Sequence, residues 1–253
     1  MMSRLRLVTF DIMNTILKTK RSIGQEYLDI FSTRFGIQFE SARVDQEFPK
    51  VFKSMWEIHP NFGAAAGISA REWWATVVRA TVENAGVDMK DAKTFDDVSK
   101  ASDVLFDHYQ TPAPWTVIES SRMALSVLKK QYKIGAISNF DERLTGLVKE
   151  LDMQKYFDFV ILSRTAGFCK PDRQIFNLAL EKAGETDATS ALHVGDNLTL
   201  DYKAAKEAGW NAVWLCRDET ERATYPLDAT EVVADLMDLT KLPLFSQGLA
   251  VPP

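Results

Sequence analysis

Residues 8–18 read VTFDIMNTILK, and the rest of the chain is best read outward from them. An apolar run of strand character ends in a carboxylate, Asp11. Two residues on, where a second carboxylate could stand, is Met13. Four later runs have the same build: KIGAISNF (133–140), FDFVILS (157–163), ALHVGD (191–196) and NAVWLC (211–216). Helical patterns separate them, at 118–132, 142–151, 173–184 and 201–209. In the second of these, Leu144, Leu147, Val148 and Leu151 recur at helical spacing. Gly184 and Gly209 stand where helices should stop. Strands apolar at almost every position, joined by helices, predict an α/β fold with a parallel sheet covered on both faces. The first strand, residues 5–10, is expected to join that sheet. In such sheets ligands bind beyond the carboxyl ends of the strands. Those ends carry Asp11, Ser138, Ser163 and Asp196, with Lys170 on the loop after the third.

Residues 18–112 read differently, as helices: SIGQEYLDIFSTRFG, FPKVFKSMWEI, SAREWWATVVRATVENAG and TFDDVSKASDVLFDHYQ, with the turn-rich HPNFGAAAG (59–67) among them. This is a helical insertion after the first strand, returning to the sheet near TPAPW (111–115), where two prolines mark the hinge. The predicted domains are therefore 1–17 with 113–253, an α/β core, and 18–112, a helical cap. The tail LFSQGLAVPP (244–253) is predicted to pack loosely.

The net charge of −5 provides no basic surface for nucleic acid or an anionic membrane. No apolar run reaches the length of about 18 residues that a membrane span needs. The basic start MMSRLRLVTFD has too short an apolar part for a signal peptide. Two cysteines, Cys169 and Cys216, far apart in a chain with an adequate core, read as reduced thiols. A cytoplasmic location is the expectation, and the oligomeric state is open.

The strand-end residues have a chemical logic. A carboxylate such as Asp11 can attack phosphorus and split one hard displacement into two easier ones. Ser138 is a candidate helix N-cap before FDERLTG, and anions also bind at helix N-termini. Lys170 stands in KPD ahead of a clear helix, with Pro171 pre-set for the first helical turn. Asp11 through Thr15, Ser138, Lys170 with Pro171, and GDNLTLD (195–201) fall in the order of the four motifs of the haloacid dehalogenase (HAD) superfamily, which the chain resembles over nearly its whole length. Within it, IHPNFGAAAGISAREWWATVV and HVGDNLTLDYKAAKEAGW resemble the haloacid dehalogenase-like hydrolase domain-containing protein 3 group, which includes the rhythmically expressed gene 2 proteins.

The resemblance implies a Rossmann-like core with a C1-type cap inserted after the first strand, a Mg²⁺ cofactor and a small phosphorylated substrate. It implies that Asp11 is the nucleophile, and that Asp11, Asp196 and the main-chain carbonyl of Met13 hold the metal. Thr15, Ser138, Asn139 and Lys170 would bind phosphate, with Ser138 and Lys170 also catalytic. Asn197 and Asp201 would support them, Asp201 either reaching the metal shell or orienting Lys170 or a water.

Met13 departs from the pattern. Most phosphatases of this superfamily have an aspartate there, which protonates the leaving group and then activates water; a thioether does neither. Asp141 is one candidate replacement donor. Three readings stay open: a Mg²⁺-dependent phosphatase working through an aspartyl phosphate, a binding protein for a phospho-ligand or partner that catalyses nothing, and a 2-haloacid dehalogenase. The dehalogenases also lack the second aspartate and match Ser138, Asn139 and Asn197, but carry no metal-ligand aspartate at the position of Asp196. His193 reads as a packed core histidine, and His59 and His108 lack zinc spacing. Trp56, Trp73 and Trp74 read as cap core, and Cys169 as a bystander whose thiol pKa the neighbouring Lys170 could lower. Candidates for substrate selection in the cap are Lys50, Lys53, Asn61 and Arg71.

Overall fold

The computed structural model describes residues 5–246, apart from the side chain of Ser246. Its strands are β1 (Leu7–Phe10), β2 (Leu17–Thr19), β3 (Trp115–Val117), β4 (Lys133–Ser138), β5 (Phe159–Leu162), β6 (Ala191–Gly195), β7 (Asn211–Leu215) and β8 (Val232–Val233). Six form one sheet in the order β5-β4-β1-β6-β7-β8, and β2 pairs with β3 separately. Every pairing in the large sheet is parallel. This is the predicted doubly covered α/β core.

The chain forms two compact units: residues up to Lys18 with Val117–Asn139 and Leu151 onward, and Thr19–Thr116 with Phe140–Glu150. The sequence reading put residues 140–150 with the sheet; the structure groups them with the helices, because their side chains pack there.

In the first unit β1 is central, with Phe10 opposite both Ala136 of β4 and Val194 of β6. That register brings Asp11, Ser138 and Asp196 to one edge of the sheet. Leu7, Val8, Phe10, Ile134, Ala136, Ile137, Leu192 and Val194 are all fully buried, as expected where helices cover both faces. β8, two residues long, gave no periodicity to read. Phe245, in the tail predicted to pack loosely, is fully buried; residues 247–253 of that tail lie outside the described residues.

In the second unit the helices α1 (Ile23–Phe35), α2 (Ser41–Ile58), α3 (Ala70–Asn84) and α4 (Ala92–His108) pack on one another. Reciprocal capping boxes, Ser22 with Gln25 and Ser69 with Glu72, start α1 and α3. α2 begins seven residues before Phe48, where the sequence reading starts it, and runs through Pro49. Its buried Val44 and Val51, one heptad apart, hold both halves on one face. In the turn after α2, Asn61, Phe62 and Gly63 have φ of 52°, 57° and 73°. A phenylalanine in this region is strained; Phe62 is held there by edge-on contacts with Trp56 and Trp73 at 5.1 and 5.2 Å. Among the described residues, no helix is long and apolar enough to cross a membrane.

Leu192, fully buried in β6 between β1 and β7, tests this core. Leu192→Ala is expected to lose about 2–5 kcal/mol in urea unfolding; a loss under about 1 kcal/mol would place β6 outside the core.

Candidate active site

The site is built where β1, β4 and β6 end. Beyond β1 the chain turns back at once: the Ile16 and Leu17 amides donate to the Ile12 carbonyl at 2.9 Å, and Asn14 adopts φ 56°. Met13 makes an isolated bridge to Leu17, and Arg217 donates to the carbonyls of Asn14 and Thr15 at 2.5 and 3.3 Å. The turn is thus held by hydrogen bonds to its main chain, from its own amides and from the Arg217 side chain.

Lys170 lies at the centre, 3% exposed, on the loop before the helix Arg173–Ala183. Its Nζ donates to Asp11 Oδ1 at 2.7 Å and to Asp201 Oδ1 at 2.5 Å. Burial alone would lower the lysine pKa; the two carboxylates outweigh it and hold Lys170 above its ordinary value. Its main chain is clamped by Asn139, whose side chain accepts from the Lys170 amide and donates to its carbonyl, both at 2.8 Å. Asp172 caps the helix that follows. Pro171 precedes this cap and is not in the first helical turn as the sequence reading had it.

Asp11, Asp196 and Asp201 each offer a ligand atom within 4.8 Å of the others. Burial pushes Asp11 up to about 7, opposed by Lys170 and reinforced by the other two carboxylates. Burial and the charge of Asp201 push Asp196 up to about 6. Asp201 is different. Burial would raise it too, but the Lys170 charge and the hydrogen bonds from His193 and Lys170 hold it well below the usual range. Its second oxygen accepts from the Asn197 amide at 2.9 Å. Asp201 is therefore satisfied by protein donors, whereas Asp11 and Asp196 carry charge that a cation would relieve. Two carboxylates of this kind fit a hard divalent ion.

Asp201 sits close because Gly195 has no side chain: a Cβ there would lie 2.2 Å from the Asp201 carboxyl carbon. The Asn197 side chain accepts from the Thr199 and Leu200 amides and starts a π-helical turn, Leu198–Lys203, that carries Asp201. Such turns recur at functional sites.

Ser138 ends β4, 1% exposed, and its hydroxyl has no hydrogen-bond partner among the described residues. It is not an N-cap, since the next helix, Arg143–Glu150, begins five residues later. A buried hydroxyl without a partner is costly unless a ligand supplies one.

Several sequence expectations change. Thr15, predicted to bind phosphate, is fully buried and committed to Asp196: it accepts from the Asp196 amide at 3.1 Å and donates to its carboxylate at 3.4 Å. Asp141, the candidate proton donor, is fully buried in the helical unit. Arg143 binds both its oxygens at 2.8 and 2.7 Å, and the Trp74 indole donates to it at 2.8 Å. Trp73 is fully buried, as core. The Cys169 thiol is pushed up by burial and by Asp172, not lowered by Lys170. Of the candidates for substrate selection, Lys50 pairs with Glu47, Lys53 with Glu57 and Arg71 with Asp103 and Asp107, while Asn61 is buried.

Sequence reasoning missed Thr9 and the polar contacts of His193. His193 is fully buried on β6, its Nδ1 2.8 Å from the Thr9 hydroxyl and its Nε2 3.1 Å from Asp201 Oδ1. The available signal was a threonine and a histidine set into otherwise apolar strands.

The chain matches the haloacid dehalogenase-like hydrolase family over residues 5–209. It is 33% identical over 227 residues to haloacid dehalogenase-like hydrolase domain-containing protein 3 of Mus musculus, covering 89% of this chain and 85% of the relative. It is 34% identical over 224 residues to the rhythmically expressed gene 2 protein of Drosophila melanogaster, covering 83% of each. Its fold is similar to the HAD-hydrolase YfnB from Bacillus subtilis bound to magnesium, with TM-score 0.69 and 18% identity over 94% of this chain and 98% of that one. From the family match and these relatives, the chain belongs to the haloacid dehalogenase-like hydrolases.

Proposed function

We propose that this hydrolase is a Mg²⁺-dependent phosphatase that passes the phosphoryl group of a small phosphorylated metabolite to Asp11 and then to water. The observation that carries this reading is the buried, unpartnered hydroxyl of Ser138 on the strand beside the one that ends at Asp11. It is a donor set aside for a ligand oxygen. The ionised pair of Lys170 and Asp201 supports it, as does the magnesium named for YfnB.

Asp11, Asp196 and the main-chain carbonyl of Met13 would hold the ion. Bound there, Mg²⁺ supplies positive charge that cancels repulsion between carboxylate and phosphoryl oxygens. The Asp11 carboxylate forms the new P–O bond as the bond to the leaving oxygen breaks, and water then cleaves the aspartyl phosphate and returns Asp11. Ser138, the Asn139 amide and Lys170 donate to the phosphoryl oxygens as charge develops on them. Thr15 holds Asp196 in place. The three closely spaced carboxylates, two of them buried, favour a cation-dependent reaction over displacement of halide.

Met13 gives the leaving oxygen no proton, and general acid–base help is typically worth about 10²–10⁴ in rate. Aryl and acyl phosphates, whose leaving groups depart as anions, are therefore the favoured substrates.

Phosphate release from p-nitrophenyl phosphate should require Mg²⁺ and fall by about 10³ or more in Asp11→Asn. Undiminished release in that variant would sink the proposal. Binding of Mg²⁺ and phosphate without release would identify the non-catalytic binding protein instead. Met13→Asp should raise turnover of alkyl phosphates by about tenfold or more, and of p-nitrophenyl phosphate by much less. Equal gains on both would deny that the missing acid limits the rate.

The raised pKa values of Asp11, about 7, and Asp196, about 6, fix a pH dependence for the metal-free protein. Their folded values lie above the unfolded ones, so the folded state binds more protons, and this stabilisation is lost as pH rises through them. The urea midpoint of the metal-free protein should fall between about pH 5 and about pH 7.5, and fall less in Asp11→Asn. Mg²⁺ affinity should rise over the same interval, because its ligands must ionise.

A further inference from the structure

We infer that His193, with Thr9, is a positioning residue for the hydrolytic site: it fixes the Asp201 carboxylate and, through it, aims the Lys170 ammonium at the phosphoryl group. The inference rests on the phosphatase reading of that site.

Thr9 and His193 are register partners on the adjacent parallel strands β1 and β6, both fully buried. The position suits an apolar side chain, and the ring packs edge-on against Phe176 at 5.4 Å. Yet both ring nitrogens are bonded. Asp201 receives the Asn197 amide on one oxygen and Lys170 on the other, so its carboxylate acts only as acceptor. The proton between Asp201 and His193 must then lie on Nε2. That leaves Nδ1 as an acceptor, and the Thr9 hydroxyl donates to it. Asp201 thus sets the tautomer, and the Thr9 hydroxyl, which also lies 3.4 Å from the Leu192 carbonyl, is placed to hold the ring in it.

The consequence falls on Lys170. A lysine ammonium is a flexible point charge with three donors. Asp11 and Asp201 take two of them, on oxygens 2.7 and 2.5 Å away, and this leaves one N–H for a phosphoryl oxygen. Its direction is set by where the two carboxylates stand. Asp11 is fixed by its strand, its amide donating to the Val194 carbonyl at 2.9 Å. Asp201 stands on a turn, and its Oδ1 is shared between Lys170 and His193. Without the Nε2 donor, only lysine holds that oxygen, and the carboxylate follows the lysine instead of directing it.

His193→Leu, His193→Gln and Thr9→Val test this. Glutamine places an N–H near the position of Nε2, whereas leucine replaces the ring with an apolar side chain of similar bulk. Against p-nitrophenyl phosphate with saturating Mg²⁺, His193→Leu should lose about 10–100-fold in kcat, as partners of this kind do, with KM changed less than about threefold. Gln should recover most of the loss, and Thr9→Val should fall between. Orthovanadate affinity, measured by calorimetry with Mg²⁺, should weaken in Leu by about tenfold or more and stay near wild type in Gln. The calorimetric stoichiometry counts intact sites, so a loss of folded protein appears as fewer sites. Wild-type kcat in His193→Leu, or equal losses in Leu and Gln that track their thermal midpoints, would overturn the inference. If the wild-type chain releases no phosphate, the phosphatase reading falls and orthovanadate decides alone. Weakening in Leu with recovery in Gln would then uphold the positioning role; unchanged affinity, or no binding to wild type, would overturn it.

Discussion

The site depends on one buried ammonium. Lys170 is the cation between Asp11 at the end of β1 and Asp201 beyond β6, and its main chain is gripped by Asn139 beyond β4. Three strand ends are therefore tied through a single side chain and its backbone. Such a centre is costly to desolvate, and removing one member of a buried ion pair typically costs about 3–5 kcal/mol because the other is left uncompensated. Charge balance carries the argument further. With all three carboxylates ionised, one lysine leaves an excess of two negative charges on a cluster of which Asp11 and Asp201 are buried and Asp196 half-buried. The excess is relieved by protons, which is why burial raises Asp11 and Asp196, or by a cation.

The parallel sheet is what makes this assembly possible. Parallel strands end on the same side, so residues at the same register converge without any long-range coincidence. The register of β1 with β4 and β6 brings Asp11 level with the last residues of its neighbours. Small adjustments then do the rest: Gly195 leaves room for the Asp201 carboxylate, and Asn197 starts the turn that delivers it. A methyl group at position 195 would collide with the carboxylate that holds the lysine.

This convergence explains what was legible in the sequence. Five strands of the large sheet, β1, β4, β5, β6 and β7, read correctly because they are apolar at almost every position; β2, β3 and β8 are too short for a pattern. Asp11, Ser138, Lys170 and Asp196 stood out because they interrupt that pattern where strands end or on the loop beyond one. Thr9 and His193 did not, because a polar residue inside a buried strand looks like tolerated core until its cross-strand partner is known, and register is not written in a single strand. The role of Thr15 was misread for a related reason. Its hydroxyl lies in the right neighbourhood, but its bonds to Asp196 cross 181 residues of sequence. Residues 140–150 have a regular helical period, which specifies a helix and says nothing of which unit the helix joins.

Asp141 illustrates the limit in the other direction. Its nearness in sequence to Ser138 and Asn139 made it a natural candidate for the proton donor that Met13 is not. In the folded chain its two oxygens accept from Arg143 and Trp74, and Arg143 lies 4.2 Å from the Phe106 ring centroid. These contacts anchor residues 140–150 to α3 and α4, and they occupy both oxygens of Asp141. General acid chemistry needs a group within hydrogen-bond reach of the leaving oxygen; Asp141 is fully buried, with both oxygens taken by Arg143 and Trp74. Proton transfer to the leaving group and charge stabilisation of the phosphoryl oxygens are separable contributions, each worth several orders of magnitude. In the phosphatase reaction proposed for this site, the second would need only the donors and carboxylates gathered around Lys170, so Asp11 would keep its electrostatic support even where the leaving group departs without a proton.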